Sequence, residues 1–130
     1  MTKYFKIGLT CIALIQPVWS IPADVTTCFS PHQNCAKELI DTLGNAKRSI
    51  YVQAYSFTNN DVAMALIEAK GRGVNVRVYI DKSRVKEKHC KIHKLIEAKI
   101  PVIIQKSNNL AHNKIMIVDD ELVITGSFNW

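Results

Sequence analysis

The feature that most constrains this chain is a regular exchange between two hydrophobic periods. Residues 49–56 (SIYVQAYS) put Ile50, Val52 and Ala54 on one side and Tyr51, Gln53 and Tyr55 on the other, the period of two that marks a β-strand. Val62, Ala63, Ala65, Leu66 and Ala69 then follow the helical repeat, behind the N-cap candidates Thr58, Asn59, Asn60 and Asp61 and ahead of a stop at Gly71-Arg72-Gly73. A strand is predicted over Val74–Asp81, a basic amphipathic helix with Ile92, Leu95 and Ile96 on one stripe over Lys86–Lys99, and a strand over Val102–Gln105. Upstream, Val25–Phe29 reads as a first strand. Ser30-Pro31-His32-Gln33 reads as a capping box opening a helix that carries Ala36, Leu39, Ile40 and Leu43. Strand, helix, strand thus recurs three times, and such units build parallel strands joined by right-handed crossovers.

After Ser107 the rhythm changes. Lys114–Val118 and Leu122–Thr125 are two strands joined by the acidic turn Asp119-Asp120-Glu121, which predicts a hairpin. The expected fold is therefore α/β, a mixed β-sheet flanked by helices on its faces. At 48% hydrophobic and 22% charged, 130 residues suit one globular domain and exclude a multidomain, disordered or collagen-like chain.

The first 20 residues read as a signal peptide: Lys3 and Lys6 precede an uncharged apolar run from Ile7 to Ile15, and cleavage is expected after Ser20 or Ala23. The run is about half the ~20 residues needed to span a bilayer, so no stable membrane insertion is expected after cleavage. The domain proper is then 24–130, and an exported, periplasmic or secreted, location follows. In that oxidising setting Cys28 and Cys35 are a possible disulfide, with Cys90 free or paired between chains. Removing Lys3 and Lys6 leaves 15 basic side chains against 11 acidic ones, still a basic protein suited to a polyanionic partner. The excess concentrates between Lys82 and Lys99, where seven basic residues meet two acids; Lys82, Arg84, Lys86, Lys88 and Lys91 are the candidate nucleic-acid contacts. His89 and His93 are spaced as helical metal ligands, but the lysines around them would repel a dication, so no metal site is assigned.

The chemistry-bearing stretch is His112-x-Lys114-x(4)-Asp119, followed by Gly126-Ser127-x-Asn129. Two residues apart on a strand, His112 and Lys114 leave the same face and can converge on one anion. Ser127 and Asn129, just past the next strand, can donate hydrogen bonds to phosphate oxygens. This pattern resembles the HKD signature of the phospholipase D superfamily, and IYVQAYSFT, VNVRVYID and ITGSFNW extend the likeness to its short, single-motif bacterial endonucleases.

The resemblance implies phosphodiester hydrolysis through a phosphohistidine, without a metal or other cofactor. His112 would be the nucleophile, with Lys114 and Asp119 completing the catalytic motif and Lys114, Ser127 and Asn129 binding the phosphate. Two such motifs make one active site in this superfamily, so a homodimer sharing His112 from each chain is implied, with a bell-shaped dependence of rate on pH. Nucleic acid, DNA or RNA, is the expected substrate. Phospholipid head groups are the alternative, and a non-catalytic nucleic-acid-binding protein is a third reading. In the short relatives a further strand and helix with an acidic residue follow the G-S-x-N segment, so a domain truncated at its C-terminus is expected.

Overall fold

The computed structural model describes residues 22–30, 32–107 and 109–130; the expected signal peptide and Pro31 lie outside them. Among the described residues five strands form one mixed sheet: β1 (Ser49–Ala54), β2 (Asn75–Ile80), β3 (Val102–Ile104), β4 (Ile115–Val118) and β5 (Leu122–Thr125), in the order β3-β2-β1-β4-β5. β1, β2 and β3 are parallel, with Val52 opposite Val78 and Val78 opposite Val102. β4 runs antiparallel to β1, with Val52 opposite Met116, and pairs with β5 as the expected hairpin.

Among the described residues there are three helices: α1 (Cys35–Asn45) ahead of β1, α2 (Asn60–Gly71) between β1 and β2, and α3 (Ile92–Glu97) between β2 and β3. Asn59 caps α2 by accepting from the N–H groups of Asp61 and Val62, and Gly73 leaves the helix at φ +93°, a backbone conformation that suits glycine. The three helices share one face of the sheet. Their side chains Leu39, Leu43, Val62, Leu66, Ile92 and Leu95 form a single buried cluster with Ile50, Val52, Val76, Val78, Ile80 and Met116. The other face carries Tyr51, Gln53, Arg77, Tyr79, Ile103, Ile115 and Ile117 along an open groove of about 360 Å³.

The strand expected at Val25–Phe29 is not formed: residues 22–29 are irregular, with Val25 and Phe29 exposed, because β-favouring residues without a sheet edge to join gain nothing from extension. Likewise α1 starts later than the expected capping box. Asn34 is the cap, accepting from the Lys37 N–H, while the Gln33 side chain turns back to accept from the Phe29 N–H. Cys28 and Cys35 are joined in a disulfide across Cα atoms 5.7 Å apart, which ties this irregular segment to the first turn of α1. Among the described residues Cys90 is a free, buried thiol, and burial pushes its pKa up.

The long basic helix expected over Lys86–Lys99 is also corrected, since only Ile92–Glu97 is helical. Ahead of it, Arg84, Glu87 and Cys90 each donate a backbone N–H to the carbonyl three residues earlier, and the Lys91 N–H is drawn to the Phe57 carbonyl. These tight turns replace the i→i−4 ladder. His89 therefore lies in a turn and His93 in α3, so the two do not share a helical face.

Candidate active site

The carboxyl ends of β1, β2 and β3 and the start of β4 lie at one end of the sheet. The chain leaves β1 toward β2 on one side while β4 occupies the other, the kind of reversal at which α/β sheets open a crevice. Four connections meet there: Tyr55–Phe57 after β1, Asp81–Arg84 after β2, Ala111–Lys114 before β4, and Gly126–Trp130 after β5.

His112 and Lys114 enter together at the head of β4. His112 is exposed, whereas Lys114 is buried at 7% of its surface. The Lys114 Nζ donates to the His112 carbonyl at 3.1 Å and lies 3.3 Å from the imidazole Nε2 and 3.5 Å from Nδ1. Among the described residues this ammonium has no carboxylate partner. A charge held out of bulk water beside an exposed imidazole is arranged to receive an anion.

Tyr55 forms the wall of the site. Its ring meets the His112 ring edge-on with centroids 4.3 Å apart; the Arg84 guanidinium lies 4.3 Å from the same ring's centre and the Lys114 Nζ 5.1 Å from it. Two cations and the imidazole thus surround one aromatic face and edge. Arg84 also pairs with Glu87. Of the five basic residues singled out after β2, Arg84 packs on this wall; Lys82, Lys86 and Lys88 are exposed and Lys91 is half-buried.

Ser127 and Asn129 arrive by the path of the last five residues. Trp130 is buried, its indole N–H donates to the Gln53 carbonyl at 3.4 Å, and its own carbonyl accepts from the Thr58 N–H. Because β4 lies between β5 and β1, the segment from Thr125 to Trp130 must cross the head of β4. Ser127 and Asn129, both exposed, lie on that crossing at the end of the sheet where His112 and Lys114 stand.

Asp119 is not brought to this group. It sits at the opposite end of β4, five residues and so roughly 16 Å along the strand from Lys114. Its carboxylate accepts from the backbone N–H groups of Lys47, Arg48 and Ser49 at 2.9, 2.6 and 2.9 Å. The Ser49 bond first, then those of Lys47 and Arg48, hold its carboxyl below the ordinary carboxylate range. Asp119 and Asp120 both have positive φ, 56° and 60°, and the Glu121 N–H closes the turn on the Val118 carbonyl within the three-residue connection between the paired Val118 and Leu122. Aspartate tolerates this backbone while its side chain locks β4 to the entrance of β1.

Sequence reasoning passed over Asp81. It is buried at 2%, its Oδ1 accepts from the Ser83 N–H at 2.8 Å and from the Ser83 hydroxyl, and its Oδ2 accepts from the Ala111 N–H at 2.8 Å. The Ser83 hydroxyl leads the effects that hold its pKa below the ordinary value. An aspartate ending the strand Val74–Asp81, followed two residues later by serine, was the available signal.

Residues 39–130 match the family described as cardiolipin synthase, PLD-like domain. The chain belongs to this phospholipase D-like family. Among curated relatives, this phospholipase D-like chain is 45% identical over 106 residues to a phospholipase D of Rickettsia bellii, covering 82% of the chain and 53% of that protein. It is 33% identical over 129 residues to the mitochondrial cardiolipin hydrolase of Xenopus laevis, covering 98% of the chain and 59% of that protein. It spans little more than half the length of these relatives. Among solved structures it is similar to Nuc from Salmonella typhimurium, a phospholipase D family member, with a TM-score of 0.71 at 35% identity over 77% of this chain and 67% of that one. NucT from Helicobacter pylori follows at 0.62 and 28% identity, over 73% and 66%.

Proposed function

We propose that the protein is a phosphodiesterase, and that its substrate is nucleic acid, cut by a metal-independent endonuclease mechanism. The observation that carries this reading is the His112–Lys114 pair, an exposed imidazole 3.3 Å from a buried ammonium that lacks a carboxylate partner among the described residues.

In this mechanism an imidazole nitrogen of His112 attacks phosphorus, a P–N bond forms, and the P–O bond to the leaving group breaks. The His112 of a second copy donates a proton to the departing oxygen, then takes one from the water that hydrolyses the phosphohistidine. Lys114 neutralises charge on the non-bridging oxygens, and Ser127 and Asn129 donate to them. One imidazole must be neutral and its partner protonated, so rate against pH is bell-shaped and its limbs belong to the pair. Asp119 has a scaffold role here.

The basic run after β2 supports nucleic acid over smaller phosphodiesters, because it begins at the rim of the site and Arg84 packs on the Tyr55 wall. Lys82, Lys86, Lys88 and Lys91 extend the charge outward. The second reading, phospholipid cleavage, draws on two exposed apolar side chains beside the site, Leu110 at 61% and Phe128 at 38%, and on relatives named phospholipase D and cardiolipin hydrolase. Export of the protein after removal of residues 1–20 belongs to the same proposal.

Plasmid DNA and phosphatidylcholine vesicles, each incubated with the protein in excess EDTA beside a His112→Asn control, separate the readings. DNA cleavage that survives EDTA and disappears in the control supports the nuclease. Cleavage of lipid alone moves the substrate to phospholipid, and DNA binding without cleavage, unchanged by the substitution, supports a binding protein.

A further inference from the structure

The direction of the His112 ring depends on the loop that delivers it, on the Lys114 Nζ 3.3 Å from its Nε2 and on the Tyr55 contact. That loop is held from inside at two points. Gln105, buried just past β3, donates from its side-chain amide to the Asn109 carbonyl, and Asp81, buried just past β2, accepts from the Ala111 N–H at 2.8 Å. Ala111 immediately precedes His112. Asp81 is itself fixed, since its backbone N–H donates to the Ala54 carbonyl at 3.1 Å and Ser83 saturates its other carboxylate oxygen.

We infer that Asp81 is a positioning residue for His112: its buried carboxylate sets the main chain at Ala111 and so aims the imidazole at the phosphate. The inference rests on the proposed role of His112. Three donors converge on the two oxygens of Asp81, so the site requires acceptors only. Asparagine fits the volume but must turn an NH₂ group toward one of these donors, which opens either the Ser83 or the Ala111 bond. The Ser83 turn shares the work, since it restricts rotation of the carboxylate. The same turn carries Arg84 to Tyr55, so one buried acid aligns both the loop bearing His112 and the wall it leans on.

The test uses the full-length chain, hydrolysis of bis(p-nitrophenyl) phosphate, and the NMR signal of the His112 ring. Asp81→Asn is expected to lower kcat by about 10- to 100-fold with KM changed less than about twofold, the signature of a misaimed group rather than lost binding. The His112 ring resonance should move while those of the exposed His32, His89 and His93 stay in place. An unchanged kcat together with an unmoved His112 resonance overturns the inference. If Asp81→Asn does not fold, Ser83→Ala loosens the same carboxylate and is expected to cost roughly threefold in kcat with the same displaced resonance; no change in either overturns the inference. A wild-type protein that hydrolyses no phosphodiester removes the proposed function instead, and the His112 resonance still decides whether Asp81 sets that ring.

Discussion

The Lys114 ammonium lies 3.3 Å from the His112 Nε2 and at the same time donates to the His112 carbonyl, so one cation fixes both the ring and the backbone of its neighbour. Spacing alone put the two on one face, and burial of the lysine gives the pairing its force. Lys114→Met keeps the length and apolar stem while deleting the charge. It is expected to leave the fold intact by circular dichroism and to reduce kcat by at least about 100-fold, in the range seen when one donor to a developing anion is removed.

Asp119 acts at the other end of β4. Replacing it with alanine leaves the N–H groups of residues 47–49 without their acceptor and should lower Tm by several degrees. Any activity loss should track the unfolded fraction, with kcat per folded molecule within about twofold of wild type. Thermal melts beside active-site titration check this.

Acid sensitivity follows from the two buttressing aspartates. Both Asp81 and Asp119 have carboxyl pKa values depressed by hydrogen bonds in the folded chain, so the unfolded chain binds protons more readily as pH falls. Their stabilisation is complete above the unfolded value of about 4 and disappears as pH drops through the lower folded values. Urea midpoints should therefore be insensitive to these groups between pH 5 and 7, to an approximation of a few tenths molar, and fall steeply below about pH 4. Asp119→Asn should flatten that acid limb.

The thiols divide by location. Reduction should open Cys28–Cys35 in the native protein, because the segment it tethers is irregular and exposed, and both thiols should then alkylate readily. Cys90 is buried and its thiol pKa is raised, so it should alkylate only in denaturant. Peptide mass spectrometry before and after urea distinguishes the two classes.

The central strands were legible because their side chains alternate and one face is buried, so that Ile50, Val52, Val76 and Val78 announce the sheet by themselves, and the hairpin was legible from the acidic turn between two apolar runs. The His112–Lys114 pair was legible from its spacing, and although both residues precede β4 the Lys114 Nζ reaches the imidazole at 3.3 Å. What escaped was set by distant partners. Val25–Phe29 has strand-forming residues but no edge to join. The Lys86–Lys91 stretch has a helical pattern that local turns and the Phe57 carbonyl override. Asp119 belonged visibly to the motif, yet its partners lie about seventy residues earlier in the chain. Asp81 carried no spacing to His112 at all, because the bond to Ala111 crosses between two loops thirty residues apart.

In the proposed mechanism His112 takes the phosphoryl group. Rapid denaturation of the enzyme during turnover of bis(p-nitrophenyl) phosphate, followed by peptide mass spectrometry, tests it directly. An acid-labile nitrophenyl-phosphoryl adduct is expected on the peptide containing His112 and is expected to be absent in His112→Asn. Steady turnover with no adduct there, and undiminished hydrolysis by His112→Asn, would contradict it.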